Sequence, residues 1–213
     1  MAIKGLTIPI VAKYTATNNT VTYSDGVIAG KAVEYSAEWT TSEASNFFAD
    51  DGIAETESGD FQSGSLTLGT DDLDPAVSKL ILGLKEVKFS YGESKEATEL
   101  VRDNSMDTPF LGFGIIETHQ KNNENFYRAV LLPKIKFSLP SDAATTKGES
   151  VEWQNPSITA NIQKSDQADS NYDHPWHITA DFDLQSEAIE YLKAKLNITD
   201  SPQGVTVSNE GEG

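Results

Sequence analysis

The chain contains no cysteine among its 213 residues. That excludes disulfides, thiol nucleophiles and thiolate metal sites, and it is compatible with a reducing compartment. It also lacks an apolar run of membrane length, and Met1 to Leu6 carry no sustained apolar stretch, so neither an anchor nor a secretion signal is expected. Basic residues are scarce. Sixteen Lys and Arg against 33 Asp and Glu leave a net charge of −17 and a pI near 4.4. A chain of that sign repels a phosphate backbone, which argues against nucleic-acid binding by counterion release. No phosphate-cradling glycine loop and no Ser/His/Asp arrangement is visible, so no enzyme, catalytic residue or cofactor is expected.

The shortage of cations is greatest from Thr41 to Pro75, where Glu43, Asp50, Asp51, Glu55, Glu57, Asp60, Asp71, Asp72 and Asp74 occur without one Lys or Arg. Nine like charges repel unless they are spread in water or balanced by another chain. Phe47, Phe48 and Ile53 lie among them. Apolar residues inside an acidic loop, here placed at about 41–60, point to docking rather than simple solvation.

Elsewhere the dominant pattern has period two. Val33, Tyr35, Ala37 and Trp39 alternate with Glu34, Ser36, Glu38 and Thr40, and Trp176, Ile178, Ala180, Phe182 and Leu184 alternate with His177, Thr179, Asp181 and Asp183. Lys134–Leu139 and Ile158–Gln163 alternate likewise, giving antiparallel strands with one wet face. Further strands are predicted at Phe61–Gly69, Glu86–Tyr91, Phe110–Thr118 and Phe126–Leu132, the last two forming a hairpin around residues 120–125. Two short helices are predicted. One follows an Asp74 cap and Pro75 and ends near Gly83; the other follows a Ser186 cap and reaches Asn197 with Lys193 and Lys195 in its last turns. The fold class is therefore mainly β, an antiparallel β-sandwich with one or two flanking helices and a long acidic loop.

Chemical motifs are weak. His174 and His177 would face opposite sides of a strand and lack a third ligand, so no metal site is expected. Asp166, Asp169 and Asp173 form a loose acidic loop without the glycine and bidentate Glu of a calcium site. Asn18-Asn19-Thr20 and Asn197-Ile198-Thr199 match the glycosylation pattern by accident if the chain is not secreted. Trp39, Trp153 and Trp176 read as core residues.

The blocks ADDGIAETESGDFQSGSLTLGTDDLDPAVSKLILG (Ala49 to Gly83), FLGFGIIE (Phe110 to Glu117) and FYRAVLLPKIKFSLPSDAATTKGESVEWQNPSITA (Phe126 to Ala160) resemble, in order and spacing, the major tail (tail tube) proteins of long-tailed phages of Gram-positive bacteria. The resemblance covers roughly Gly5 to Asn197. It implies a tail-tube β-sandwich over residues 1–200, hexameric rings stacked into a tube, and DNA as a non-sticking passenger. It further implies tape-measure, tail-initiator and tail-terminator partners, no membrane partner, and assembly in the host cytoplasm into the virion tail. Residues 201–213 are expected to be a flexible tail, in which Gln203 to Ser208 resemble the opening strand of the immunoglobulin-like domain that family members often carry.

In such a ring the acidic channel wall would draw on Glu34 and Glu38, or on Asp181 and Asp183. Phe47, Phe48, Asp50, Asp51, Glu55 and Glu57 are the inter-ring loop candidates. Two other readings remain: a carbohydrate- or receptor-binding β-sandwich module, and an acidic-cleft hydrolase of β architecture.

Overall fold

The computed structural model describes residues 2–49, 52–57, 59–71, 75–92, 94–104, 106–121, 123–139 and 157–198, with the backbone path alone at 45–49 and 52–57. The expected Asp74 cap, Asp50, Asp51, Trp153 and the tail at 201–213 lie outside the described residues.

One antiparallel sheet of eight strands organises the chain. Its path runs β2 (Thr20–Ile28), β1 (Ala2–Thr17), β9 (Leu111–Lys121), β10 (Glu124–Phe137), β11 (Ser157–Ile162), β6 (Phe61–Thr70) and β3 (Ala32–Thr41), with β12 (Ile178–Phe182) also paired to β10. Two hairpins stand apart from it, β4 (Ser45–Ala49) with β5 (Gly52–Glu57), and β7 (Lys85–Tyr91) with β8 (Lys95–Val101). The mainly β, antiparallel class with two short helices is as the alternation implies.

Strand β10 joins the two parts of the sheet. The runs around Phe126–Leu132 and Lys134–Phe137 are one strand whose register shifts between Leu132 and Ile135. Pro133 sits at that shift, where the missing N–H removes no ladder bond, and its carbonyl accepts a 2.9 Å hydrogen bond from the Tyr23 hydroxyl. The extra residue reverses side-chain parity. Before it Val130 and Leu132 enter the larger core, and after it Ile135 and Phe137 do. The edge of β10 opposite β9 therefore takes β12 along Tyr127–Leu131 and then β11 along Ile135–Phe137.

The larger core lies on one face of the sheet and gathers Val11, Leu66, Leu68, Leu111, Phe113, Ile115, Ile158 and Ile162 under α1 (Pro75–Leu82), which supplies Val77, Ile81 and Leu82. Helix α1 starts at the expected proline and ends at Gly83, whose φ of 65° is the left-handed conformation that terminates helices. The smaller core lies on the other face, where α2 (Gln185–Lys195) lays Ala188, Leu192 and Leu196 over Ile10, Ala12, Ile116, Ala129 and Leu131. Gly112 and Gly114 make that seat. A Cβ at Gly114 would stand 3.1 Å from Leu192, and one at Gly112 would overlap Tyr23 and Leu196.

Four expectations change. The 41–60 segment holds a two-stranded hairpin rather than a loop, its ladder running from Ser45↔Glu57 to Ala49↔Gly52. β12 is shorter than Trp176–Leu184, because Leu184 already serves as the α2 N-cap at φ −116°, ψ 136°. That cap makes no side-chain hydrogen bond, so Ser186 is inside the helix and not its cap. β1 and β2 form a hairpin that the alternation did not reveal, closed at Thr17↔Thr20 with Asn18 and Asn19 both at positive φ, the geometry of a type I′ turn.

Leu192 is fully buried, so Leu192→Ala should cost about 2–5 kcal/mol by the usual large-to-small scale. Urea denaturation checks this, and a cost near zero would mean that α2 is not seated on the Gly112–Gly114 strand.

Candidate functional site

The outer face of β3, β6 and β11 is a wet surface with no Lys or Arg of its own, and its Glu38–Ser65–Asn161 row continues to Lys136 on β10. Backbone register aligns Ser36 with Thr67 and Thr159, Glu38 with Ser65 and Asn161, and Thr40 with Ser63. The alternating partners Tyr35, Ala37, Leu66, Leu68, Ile158 and Ala160 turn inward to the larger core. No Lys or Arg occurs in any of the three strands, and the carboxylates on this face are the exposed Glu34 and Glu38. Glu34 lies over Gly69, whose missing side chain leaves room 3.1 Å from the Glu34 Cβ. β3 ends the sheet path, so one of its edges has no strand partner among the described residues.

Asp181 stands in a different setting. It pairs with Arg128 on β10 through two parallel hydrogen bonds, Nε to Oδ1 at 2.7 Å and Nη2 to Oδ2 at 2.9 Å. This bond holds the Asp181 carboxyl below its ordinary range and Arg128 above its own. Register continues the row from Asp181 through Arg128 to the buried Glu117 on β9. Glu117 in turn meets His119 at 2.7 Å. The His119 Nδ1 is buried without a partner among the described residues, while its ring stacks on Phe126 at 5.0 Å.

The two carboxylate sets thus lie on opposite faces of the sheet. Glu34 and Glu38 face away from the larger core, whereas Arg128 and Asp181 share the side of Val130, away from α2. Asp183 is not on the strand; it is exposed in the turn between β12 and α2. The early start of the helix leaves no ladder for it to join.

The inter-ring candidates fall on the β4–β5 hairpin. Register sets Phe47 opposite Glu55, Phe48 opposite Ile53 and Ser45 opposite Glu57. Its root is tied by the Ser42 amide donating to the Asp60 carbonyl at 2.8 Å and the Asp60 amide donating to the Ser42 hydroxyl at 2.8 Å.

Near this root Trp39 and Trp176 are surface residues rather than core, 41% and 36% exposed. Trp176 stacks on Phe61 at 4.7 Å, and Trp39 meets the ring edges of Phe61 and His177. Burial lowers the His177 pKa from its ordinary value.

The Asp166–Asp173 segment is a tied turn. Asp166 accepts from the Tyr14 hydroxyl and from the Lys134 ammonium, each at 2.7 Å, and Asp169 accepts the amides of Asn171 and Tyr172. His174 Nδ1 sits 2.9 Å from the Ser165 carbonyl, apart from the Trp39 contact of His177. Among the described residues no group of three metal-ligating side chains converges. A shallow pocket of ≈ 340 Å³ lies between Tyr23, Leu131, Pro133, Ile178 and Lys195 without a catalytic grouping at its wall. No helix among the described residues is long and apolar enough to cross a membrane.

Compared with known proteins, the chain matches no family model, and no curated protein matches it at a significant level.

The Asp166 carboxyl is held low, chiefly by the Lys134 hydrogen bond and then by Tyr14, and Asp181 chiefly by Arg128. A depressed folded pKa contributes stability above the unfolded value of about 3.9, and that stability is lost as pH falls through the lower folded value. Both groups are about half exposed, so each contributes roughly 0–1 kcal/mol. The paired variant Asp166→Asn/Asp181→Asn should therefore flatten the loss of stability below about pH 4 in acid titrations followed by circular dichroism. An unchanged acid limb would mean that neither ion pair stabilises the fold.

Proposed function

We propose that this chain is a structural subunit of a phage tail tube, which forms stacked hexameric rings around an acidic channel through which DNA is ejected. The carrying observation is the outer face of β3, β6 and β11, where hydroxyls, Asn161, Glu34 and Glu38 line three strands that have no Lys or Arg, with Lys136 of β10 beside Asn161 at one end of the row. Phosphates held by Lys or Arg release counterions and stick; a wall made mostly of hydroxyls and carboxylates offers few such contacts, so DNA slides past it. The resemblance of the Ala49–Gly83, Phe110–Glu117 and Phe126–Ala160 blocks to tail tube proteins supports the same reading.

The partners on this reading are further copies of the chain, side by side and ring on ring, with tape-measure, initiator and terminator proteins at the tube's length and ends. The tube is completed in the host cytoplasm and ends in the virion tail. Glu34 and Glu38 take the channel-lining role ahead of Asp181, whose charge is balanced by Arg128 within the subunit. The β4–β5 hairpin, with Phe47, Phe48, Glu55 and Glu57, is the element assigned to the ring-on-ring contact.

One observation favours the other reading, a carbohydrate- or receptor-binding module: Trp39 and Trp176 are part-exposed near one another. Phe61 already occupies a face of Trp176, however, which leaves little ring surface for a sugar.

Negative-stain electron microscopy of concentrated protein should show rings or tubes on the order of 100 Å across, from six domains each roughly 40 Å wide. A protein that stays monomeric in several salts while binding a glycan would favour the module instead. In assembled particles Glu34→Lys/Glu38→Lys should keep the ring but slow DNA passage in a salt-dependent way, since each lysine adds a phosphate contact. Passage at the wild-type rate in low salt would remove these two residues from the channel wall.

A further inference from the structure

Strand β1 consists of two halves that are held very differently. From Ile10 to Lys13 it lies between β2 and β9, and Ile10, Val11 and Ala12 are fully buried. Its first half, Ala2–Thr7, pairs with β9 alone among the described residues, from Ala2↔Gln120 to Thr7↔Ile116, and its register slips between Ile3 and Gly5. Ile3, Lys4 and Gly5 are exposed, and Leu6 reaches the larger core. A segment paired on one edge opens more readily than one paired on both.

Ile8 stands between the halves at φ 51°. A β-branched residue is crowded in the left-handed region, and a following proline, here Pro9, pushes the residue before it towards extended backbone. Ile8 is thus held out of its preferred state for two separate reasons, and the ladders on either side keep it there. Directly after it the Pro9 carbonyl accepts the Ala29 amide at 2.7 Å, which fixes the pivot. A short strained joint between a firmly held segment and a singly paired one invites strand exchange, because lifting the outer segment lets the joint extend.

Register identifies the occupant of the vacated edge. Once Ala2–Thr7 leaves, Ile116–Gln120 of β9 presents an open row of amides and carbonyls. The same half-strand of another copy restores each pair from Ala2↔Gln120 to Thr7↔Ile116 and returns Leu6 to the larger core, with every charged neighbour as before. The exchange loses no native pairing and sheds the strain at Ile8. Resting on the tube-subunit reading, we infer that the Ala2–Thr7 half of β1 crosses to β9 of a second copy on a hinge at Ile8–Pro9. Passed head to tail from copy to copy, it closes a ring without a new complementary surface.

The absence of cysteine leaves a clean background for thiols at Gly5 and Thr118, which face each other in the ladder. A Cβ added at Gly5 meets no atom within 4 Å. In Gly5→Cys/Thr118→Cys, oxidation of dilute monomer should join the two thiols within one chain. Oxidation after the reduced protein has assembled should instead join neighbouring chains into dimers and larger species on a denaturing, non-reducing gel. Bonds within single chains only in the assembled protein would overturn the exchange and leave the tube reading standing; a wild-type chain that never assembles removes both. Ile8→Gly gives an independent measurement, since glycine enters the left-handed region without steric cost. With no strain left to release, it should raise the concentration needed for assembly by about tenfold. Assembly of Ile8→Gly at the wild-type concentration would overturn the hinge and the exchange together. Each variant decides where the other fails to fold or its thiols fail to pair.

Discussion

The parity reversal in β10 is the constraint on which the rest depends. A strand offers two edges and two faces, and a regular β10 would send Val130, Leu132 and their successors to one side throughout. The extra residue at Pro133 returns Ile135 and Phe137 to the larger core after the chain has changed neighbours from β12 to β11. Without it Ile135 and Phe137 would point outward, and Ile162 and Ala160 would lose their partners. The Tyr23 hydroxyl on the Pro133 carbonyl and the Lys134 carbonyl accepting from the Gln163 amide hold the irregularity from both sides.

Two surfaces follow from that one bend. On the β11–β6–β3 side the core is inside, so the outward set is Ser, Thr, Asn and Glu. On the β12 side α2 takes the opposite face, so the outward set is Arg128 and Asp181, which satisfy each other. A face of small hydroxyls with sparse carboxylates and a face whose charges are internally paired differ electrostatically. The first runs from Glu38 to Lys136 across Ser65 and Asn161, and on the second Arg128 and Asp181 tie β10 to β12 by two hydrogen bonds. The two separate hairpins lie outside that sheet.

Much of this was legible from alternation. Alternation sorted Tyr35 and Ala37 inward against Glu34 and Glu38 outward, because period two is local and β3 is regular through those residues, but Val33 and Trp39, read on the inward side with them, are exposed at the strand's two ends. The β1–β2 hairpin was hidden for a physical reason. β1 feeds both cores, Leu6 and Val11 one and Ile8, Ile10 and Ala12 the other, and its register shifts twice against β9, near Gly5 and around Ile8 with φ 51°. Its one clear signal was Asn18-Asn19 between polar-apolar runs, which also fits a glycosylation pattern. The Asp181–Arg128 pair spans 53 residues, a separation across which no sequence spacing carries information. The β4–β5 ladder was obscured because acidic residues are poor strand formers, and charge dominated the reading of that segment.

The central claim is that the outer face of β3, β6 and β11 is turned towards the axis of an assembled tube. A cryo-electron microscopy reconstruction of the assembled particle tests it most directly by giving the radial position of each strand. The account requires Ser65 and Glu38 to face the channel, at smaller radius than the α2 helix. A reconstruction with that face buried between subunits or turned to the outside, and α2 or the Arg128–Asp181 row at the channel, would contradict it.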